Sequence, residues 1–516
     1  MTIRDTTTPA RMFAAFAGAL AVTIGLSGCV GSFLPRTAPA TSKPTGEKVE
    51  AALDPFYSQV LKWTDCGDNL QCTTATSPLD WNDPAAGEID LALVRQPATS
   101  GDRLGSLLVN PGGPGASGYD FIKDSVDYAT DDTLQAAYDV VGFDPRGVGR
   151  SSAVSCLEPA EMDEYLYGIP GAPRGTDAWI AEQEVSAIEF ASGCAENTGP
   201  LLGHVETTQA ARDLDLLRAI LGDKKLNYLG YSYGTFLGAT YAELYPKNVG
   251  RLVLDGAVDP STTNAEVNRV QAQGFESALR AYLTDCLDSG ECPFRGNVDQ
   301  AMSTVRALLD SVDASPIAAS DGRLLGSSAL LTAIIYPLYQ ATAWEYLSDM
   351  FASVMQGDAD YAFQFADAYN GRNEDGTYAD NSTEAFQAIN CVDYDYNDDP
   401  AVMRQQAAEL EAAAPVIGTY LSFGDIGCAN WPYAFTGERT EIHASGAAPI
   451  LVVGTTNDPA TPYVWAKSLA KQLDSAHLVT YTGEGHTAYN KSNECVNDAV
   501  DNYLVKGTVP ASDPLC

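Results

Sequence analysis

The sequence predicts an α/β fold with a mostly parallel sheet, and two patterns carry that prediction. Helical patterns recur along the chain, and the clearest covers residues 207–221, where apolar residues return at helical spacing. Continuous apolar strands alternating with helices indicate a parallel sheet covered on both faces. The runs predicted to be strands are short, apolar and followed by a loop or helix: Leu104–Asn110, Tyr138–Phe143, Leu226–Leu229, Arg251–Leu254, Pro449–Val453 and His477–Tyr481.

Size and charge narrow the possible classes of protein. The chain has 516 residues, 45% of them hydrophobic, which is enough for a large buried core. It carries 68 acidic against 30 basic side chains, a formal net charge of −38. Nucleic acids and anionic membrane surfaces require basic patches, so neither is expected as a partner. We interpret the acidity as a solubilising surface and expect a monomer.

The strand pattern also divides the chain into regions. Between residues 260 and 448 the strand runs stop, and helical stretches such as Asn264–Thr284 and Ala329–Gln356 take over. This region is about the size of an independent unit. We therefore predict a core over residues 51–259 and 449–516, with a mainly helical cap inserted at 260–448.

Residues 1–28 have the features of a signal peptide. Arg4 and Arg11 form a basic start, and the apolar run Met12–Leu26 is short for a membrane span. The run ends in Leu-Ser-Gly followed by Cys29, which resembles the bacterial lipobox, in which the cysteine is acylated after cleavage. We predict export and anchoring to the cell membrane through a lipid on Cys29, followed by a flexible tether over 29–50. The alternative is a plain signal peptide with a chance cysteine.

The cysteines indicate the same compartment. The chain has 11, and setting Cys29 aside leaves an even number, which in an exported chain indicates disulfides. Sequence does not determine the connectivity, and pairing of neighbours along the chain is the simplest hypothesis. No Cys-x-x-Cys or His-Glu-x-x-His motif is present, so no metal or other cofactor is expected. The neighbour pairs are Cys66–Cys72, Cys156–Cys194, Cys286–Cys292, Cys391–Cys428 and Cys495–Cys516.

One motif places a nucleophile. Residues 230–234 read Gly-Tyr-Ser-Tyr-Gly, the single Gly-x-Ser-x-Gly of the chain, between a predicted strand and a predicted helix. In that context the glycines permit a sharp turn that projects the Ser232 hydroxyl above the sheet. The motif predicts the α/β-hydrolase fold, with Ser232 as catalytic nucleophile.

Serine needs a base, and the base needs an acid. Of the four histidines, only His486 follows the last predicted core strand, as the order serine, acid, histidine requires. Asp458 follows the preceding strand and is our candidate acid, with Asp255 as the alternative. The remaining histidines, 204, 443 and 477, are interpreted as structural or surface residues.

The oxyanion formed in such a reaction needs two backbone N–H groups. One is expected from Tyr233, directly after the nucleophile, and the other from Gly113 in the loop Pro111–Gly115. A phosphate-binding loop is the alternative for these glycines, but the Gly-Lys-Ser/Thr ending is missing.

These residues resemble the proline-iminopeptidase-like branch of the α/β hydrolases, most closely the actinobacterial tripeptidyl aminopeptidases and carboxylesterase-A-like enzymes. In this sequence Pro111 stands where iminopeptidases usually carry a histidine, which argues against strict proline specificity. The resemblance covers most of residues 104–490 and rests on 112–115, 144–151, 230–235, 458–462, 485–486 and the cysteine-bearing segments 388–393 and 428–432.

The resemblance implies an exported enzyme that releases short peptides from free N-termini through an acyl-enzyme. Peptides are then the substrate partners, and a substrate amine would need carboxylates near the cap. Candidates for binding substrate are Glu345, Glu384, Asp393 and Asp395 in the acidic segment 345–399, although in a chain this acidic each is more often a solvated surface charge. Thr461 either lines the pocket or caps the following helix.

Two other functions remain open. A carboxylesterase or lipase would use the same triad on short-chain esters. A non-catalytic binding lipoprotein would be expected to lack a triad member.

Arg146, in the Asp-Pro-Arg-Gly stretch at 144–147, is predicted to brace loops behind the site rather than to take part in catalysis.

Overall fold

The computed structural model describes residues 40–290 and 292–516. The predicted signal peptide and Cys29 lie outside the described residues. Within them, no helix combines the length and the apolar character needed to cross a membrane.

The described residues form one large sheet and a set of helices around it. The sheet order is β1-β2-β3-β4-β6-β5-β7-β8-β11-β12, antiparallel from β1 to β6 and parallel from β6 to β12. Its strands are β1 Ala40–Thr41, β2 Lys62–Gly67, β3 Leu70–Asp80, β4 Asp83–Gln96, β5 Ser106–Asn110, β6 Asp139–Phe143, β7 Leu226–Tyr231, β8 Val249–Asp255, β11 Ile450–Asn457 and β12 Ala476–Glu484. A separate small hairpin pairs β9 Ile317–Ala318 with β10 Leu324–Leu325.

Helices connect the strands and cover both faces of the sheet. Those outside the predicted cap are α1 Asp54–Tyr57, α2 Gly118–Ala129, α3 Asp132–Ala137, α4 Pro159–Tyr167, α5 Asp177–Thr198, α6 Thr207–Leu221, α7 Tyr233–Leu244, α17 Tyr463–Gln472 and α18 Glu494–Lys506. Those within residues 260–448 are α8 Asn264–Ser289, α9 Val298–Ala314, α10 Ser327–Leu338, α11 Trp344–Met355, α12 Asp360–Asn370, α13 Ser382–Asp393, α14 Pro400–Ala413, α15 Ile417–Tyr420 and α16 Ile426–Ala429.

The central strands bring the site together because they are buried on both faces. Every residue of β5 and β6 is buried. One apolar cluster packs α6 and α7 against the sheet, and a second packs α2 and α18 against it. The parallel strands point the same way, so the loops after β5, β7, β8, β11 and β12 meet at one edge.

The helices within residues 260–448 form a helical layer with an apolar core of its own, which is made mainly by α8 to α12. It also includes a segment that the predicted boundaries assign to the core. Trp179 and Ile180 of α5 are buried against Met403 and Ile426, both of which lie within 260–448. The layer is therefore built from two stretches of chain, one before the nucleophile and one after it.

The first residues of the described chain differ from the predicted tether. Ala40 and Thr41 pair with β2, the Thr45 N–H donates to the Ala219 carbonyl at 2.9 Å, and Glu47 forms an ion pair with buried Arg218. The tether prediction is wrong for residues 40–50, because these contacts fasten them to the body of the protein.

Five disulfides close the described chain, and all have the predicted connectivity. They are Cys66–Cys72, Cys156–Cys194, Cys286–Cys292, Cys391–Cys428 and Cys495–Cys516. Cys156–Cys194 ties the start of the α4 segment to α5, and Cys391–Cys428 joins α13 to α16. With Cys286–Cys292 at the end of α8, three of the five disulfides join segments of the helical layer.

Candidate active site

Ser232 occupies a sharp turn between β7 and α7. Its backbone has φ 55° and ψ −124°, a conformation that L-residues rarely adopt and that is typical of strained functional turns. The Ser232 N–H donates to the Asp255 carbonyl at 2.9 Å, which fixes the turn to the end of β8. The flanking glycines are required, because a Cβ on Gly230 would lie 2.4 Å from the Gly234 carbonyl oxygen.

The glycine loop after β5 lies against this turn. A Cβ on Gly112 would stand 2.8 Å from the Ser232 Cβ and 3.1 Å from the Tyr233 nitrogen. Among the described residues, the backbone N–H groups of Gly113 and Tyr233 have no hydrogen-bond acceptor. The two predicted oxyanion donors are therefore free, and their loops are in contact beside Ser232.

Asp458 and His486 form a direct pair at the ends of β11 and β12. The imidazole Nδ1 lies 2.9 Å from one carboxylate oxygen of Asp458 and 3.0 Å from the other. The Asp458 side chain is fully buried, whereas that of His486 is 12% exposed. The acid is thus shielded from water, while the opposite edge of the imidazole can reach a ligand.

Further hydrogen bonds fix the orientation of this acid. The N–H groups of Ala460, Thr461 and Thr487 donate to its carboxylate at 3.0, 2.8 and 3.1 Å. The Thr461 hydroxyl donates to it at 3.0 Å and lies 3.2 Å from His486 Nδ1. Thr461 does not cap α17, since that helix has no side-chain cap. Its position beside the acid makes it a support of the Asp–His pair.

The histidine lies beside the serine turn. A Cβ on Gly256 would be 3.3 Å from His486 Cε1. Gly256 directly follows Asp255, whose carbonyl holds the Ser232 N–H. On the other side, the backbone N–H of His486 donates to the Tyr339 carbonyl at 2.8 Å. The Tyr339 ring meets the imidazole edge-on, with 5.3 Å between the ring centroids. Tyr339, directly after the end of α10, therefore helps to place the imidazole.

Asp255, the alternative acid, has a different position. It is fully buried, and its carboxylate accepts the N–H groups of Ala488 at 3.0 Å and Tyr489 at 2.8 Å. Burial raises the pKa of this carboxyl group, and the nearby Lys491 partly opposes the shift. Asp255 is an anchor for the loop that carries His486, and it makes no hydrogen bond to the imidazole.

Arg146 braces the loops behind the site, as the sequence predicts. Its guanidinium is buried and binds Asp213 at 2.7 Å and 2.8 Å, and it also donates to the carbonyls of Leu79 and His204. A buried, fully satisfied bidentate pair of this kind orders loops and leaves no free charge for catalysis.

The predicted substrate carboxylates are not brought together. Glu345 is exposed at the start of α11. Glu384 accepts the N–H groups of Cys156 and Leu157 at 2.7 and 3.2 Å, and burial raises its pKa. Glu384 is thus committed to holding the α4 segment, which corrects its prediction as a free amine ligand.

Asp393 is connected to the nucleophile turn through a chain of hydrogen bonds. Its carboxylate accepts the Thr207 N–H at 2.9 Å and the Thr207 hydroxyl at 2.5 Å, and that hydroxyl lies 2.5 Å from the Tyr233 hydroxyl. Burial raises the pKa of Asp393 to about 6. Asp393 therefore supports the residue after Ser232, and sequence reasoning missed this link.

In the described parts of the chain, no three histidine, cysteine or acidic side chains come close enough together to hold a metal ion. The groups at the strand ends are instead a strained serine, an Asp–His pair and two free backbone donors. The sheet order and this arrangement define an α/β hydrolase with a serine at its nucleophile turn.

The comparisons with known proteins identify the branch. A family model described as TAP-like protein matches residues 414–516. Serine protease Hip1 of Mycobacterium tuberculosis is 35% identical over 98% of both chains, and carboxylesterase B of the same species is 36% identical over 93% of this chain and 94% of its own. The tripeptidyl aminopeptidase of Streptomyces lividans is 32% identical over 88% of this chain and 86% of its own.

The chain belongs to this family of TAP-like serine hydrolases, and it is a serine hydrolase. The resemblance inferred from its motifs is confirmed by relatives that span nearly its whole length.

Proposed function

We propose that the protein is an exported, lipid-anchored aminopeptidase that releases short peptides, of the tripeptidyl type, from free N-termini. Ser232 is the nucleophile, His486 the general base and Asp458 the acid. The observation that carries the proposal is the Asp458–His486 pair, 2.9 Å apart, beside the strained Ser232 turn.

The reaction proceeds through two acyl transfers. His486 takes the proton from the Ser232 hydroxyl as its oxygen bonds to the scissile carbonyl carbon, and then gives that proton to the departing amine nitrogen. Water attacks the resulting ester with the same proton relay, which frees the peptide acid and restores the serine. Asp458 stabilises the imidazolium in both steps, and the N–H groups of Gly113 and Tyr233 bind the oxyanion.

Two observations favour peptides as substrates. Relatives similar over most of the chain are named serine protease and tripeptidyl aminopeptidase. The helical layer roofs the strand ends where the catalytic groups lie, and α13 packs on the glycine loop, since a Cβ on Gly115 would be 2.6 Å from the Ser382 carbonyl oxygen. A roofed site suits the end of a chain better than its middle.

A carboxylesterase acting on short-chain esters is the second candidate, because the relative at 36% identity is named carboxylesterase B. The same catalytic groups would serve both reactions. Rates on a peptide anilide with a free N-terminus, on its N-acetylated form and on a short-chain ester distinguish the two. Preference for the free peptide supports the aminopeptidase, while equal rates on both anilides with faster ester turnover support the esterase.

A non-catalytic binding lipoprotein is the third candidate, and the same assays exclude it if any substrate turns over. The Ser232→Ala variant is the control for contaminating activity, because removal of a triad nucleophile costs about 10⁶ in kcat.

Export and anchoring rest on the lipobox sequence ending at Cys29 and on the five disulfides, which are typical of oxidising compartments. Fractionation of cells that express the parent and Cys29→Ser tests the anchor. The parent should sediment with membranes and the variant should not. Equal membrane association of both proteins would refute the anchor.

A further inference from the structure

The helical layer contains a cavity of about 730 Å³ that none of Ser232, Asp458 and His486 lines. It lies between the loop joining α4 to α5, the start of α10 and the segment around α15 and α16. Its volume is in the range of sites that take small organic ligands. The cavity is therefore a second candidate binding site.

An unsatisfied cation lines this cavity. The Nε of Arg174 is buried and has no hydrogen-bond partner, and the guanidinium forms no ion pair among the described residues. The guanidinium carbon lies 5.0 Å from the ring centroid of Trp179 and 5.3 Å from that of Tyr420. Rings attract a cation but accept no hydrogen bond in its plane, so the donors of Arg174 remain available to a ligand.

One carboxylate lines the same cavity. Asp313 accepts the Ser327 hydroxyl on one oxygen and has no hydrogen-bond donor on the other within the described chain. Arg174 and Asp313 are the two charged residues of the lining, and they are not within ion-pair distance of each other. Burial lowers the pKa of Arg174, and Asp313 opposes that shift across the gap.

Two opposite, unpaired charges in one cavity match a ligand that carries both charges itself. The lining also includes Trp179 and Phe423, which offer apolar surface to a side chain. We propose that the cavity binds a small zwitterion, a free amino acid or short peptide with an apolar side chain, with its carboxylate on Arg174 and its ammonium group on Asp313. The proposal goes beyond the catalytic reaction and does not depend on it.

Calorimetric titration of the full protein, with its active serine first blocked by a fluorophosphonate, tests the proposal. The probes are phenylalanine, phenylalaninamide and N-acetylphenylalanine, which differ in which charge they keep, and the peptide Ala-Ala-Phe, which separates a peptide from a free amino acid. We expect phenylalanine or the peptide to bind, and each singly charged analogue of phenylalanine to bind at least about tenfold more weakly if the amino acid is the ligand. If only the peptide binds, its amide and N-acetyl forms take the place of the phenylalanine analogues.

Two variants should give crossed results. Arg174→Gln should weaken binding of the zwitterion at least about tenfold. It should change binding of the amide little, because the amide has no carboxylate to pair with Arg174. Asp313→Asn should weaken the zwitterion and leave the N-acetyl form nearly unchanged, while its amide oxygen can still accept the Ser327 hydroxyl. Arg280→Gln, at an exposed arginine paired with Asp299, is the matched control and should change nothing.

Several results would overturn the proposal. One is that neither phenylalanine nor Ala-Ala-Phe binds up to about 10 mM. Another is that the zwitterions and the singly charged probes bind equally well. A third is that each variant loses the same affinity for every probe. Binding that is present in unblocked protein and disappears on blocking the serine would also overturn it, because the ligand would then sit at Ser232. Should Arg174→Gln fail to fold, the Asp313→Asn comparison decides alone.

Discussion

Replacing Asp458 with asparagine tests how the acid acts on His486. The carboxylate accepts hydrogen bonds from the imidazole Nδ1 and the Thr461 hydroxyl. It also accepts the backbone N–H groups of Ala460, Thr461 and Thr487. An asparagine oxygen at the position that faces Ala460 and Thr461 keeps those two bonds. Its NH₂ group then faces the Thr487 N–H, donor against donor, and the imidazolium loses its anionic partner.

The expected loss follows from that geometry. In serine-hydrolase triads the corresponding change costs about 10⁴ in kcat, which equals about 5.5 kcal/mol of transition-state stabilisation. Asp255→Asn is the matched control, because Asp255 is equally buried but holds the loop through Ala488 and Tyr489. It should lower the free energy of unfolding by about 1–3 kcal/mol and leave the folded protein at least about a hundredfold more active than Asp458→Asn.

The assay is kcat on an activated ester or anilide, with the folded fraction of each variant measured by near-UV circular dichroism. The reasoning would be refuted if Asp255→Asn were the more impaired catalyst once both proteins are corrected for folding. That outcome would mean that Asp458 is not the acid of the triad, despite its hydrogen bonds to His486.

Three further predictions concern stability, oxidation and substrate. Because burial raises the pKa of Asp393 to about 6, the native state holds a proton that the unfolded state releases, so this group makes the free energy of unfolding fall as pH rises from about 4 to 6. The free energy of unfolding should fall by at most about 3 kcal/mol over this range. Denaturant titrations at about pH 4 and about pH 6 should show the fall in the parent and not in Asp393→Asn. An identical pH profile for both proteins would contradict the prediction. Alkylation of the denatured, unreduced mature protein should label no cysteine, and two or more labelled cysteines in the mass spectrum would disprove the disulfide assignment. N-acetylation of a peptide substrate should lower kcat/KM by at least about tenfold, and equal values would remove the case for recognition of the amine.

The core strands could be predicted because burial on both faces makes them continuous apolar runs. All six predicted strands exist, and α6 has the predicted bounds. The antiparallel strands β2 to β4 were missed, since their exposed faces interrupt the apolar pattern; β2, for example, buries only Trp63. Strands with an exposed face leave a weaker signal in a single sequence than strands buried on both faces.

The Asp–His pair and the serine turn could be predicted because each lies in a short motif at the end of a strand. Thr461 was singled out but its partner was not, because a threonine near a helix start more often caps it. The Asp393–Thr207 bond spans 186 positions of sequence, and no local pattern in one sequence reports such a contact. The same holds for Arg174 and Asp313, which line one cavity only in the folded protein.

The most direct test of the central claim is the site of covalent labelling by a fluorophosphonate, read by peptide mass spectrometry. The account predicts one adduct, on Ser232, that is lost in Ser232→Ala and retained in Ser382→Ala, whose serine lies on the helix packed over the glycine loop. Ser232→Ala keeps the Cβ and should fold as the parent does. An unlabelled parent protein, or an adduct on another serine that survives Ser232→Ala, would contradict the assignment of the nucleophile.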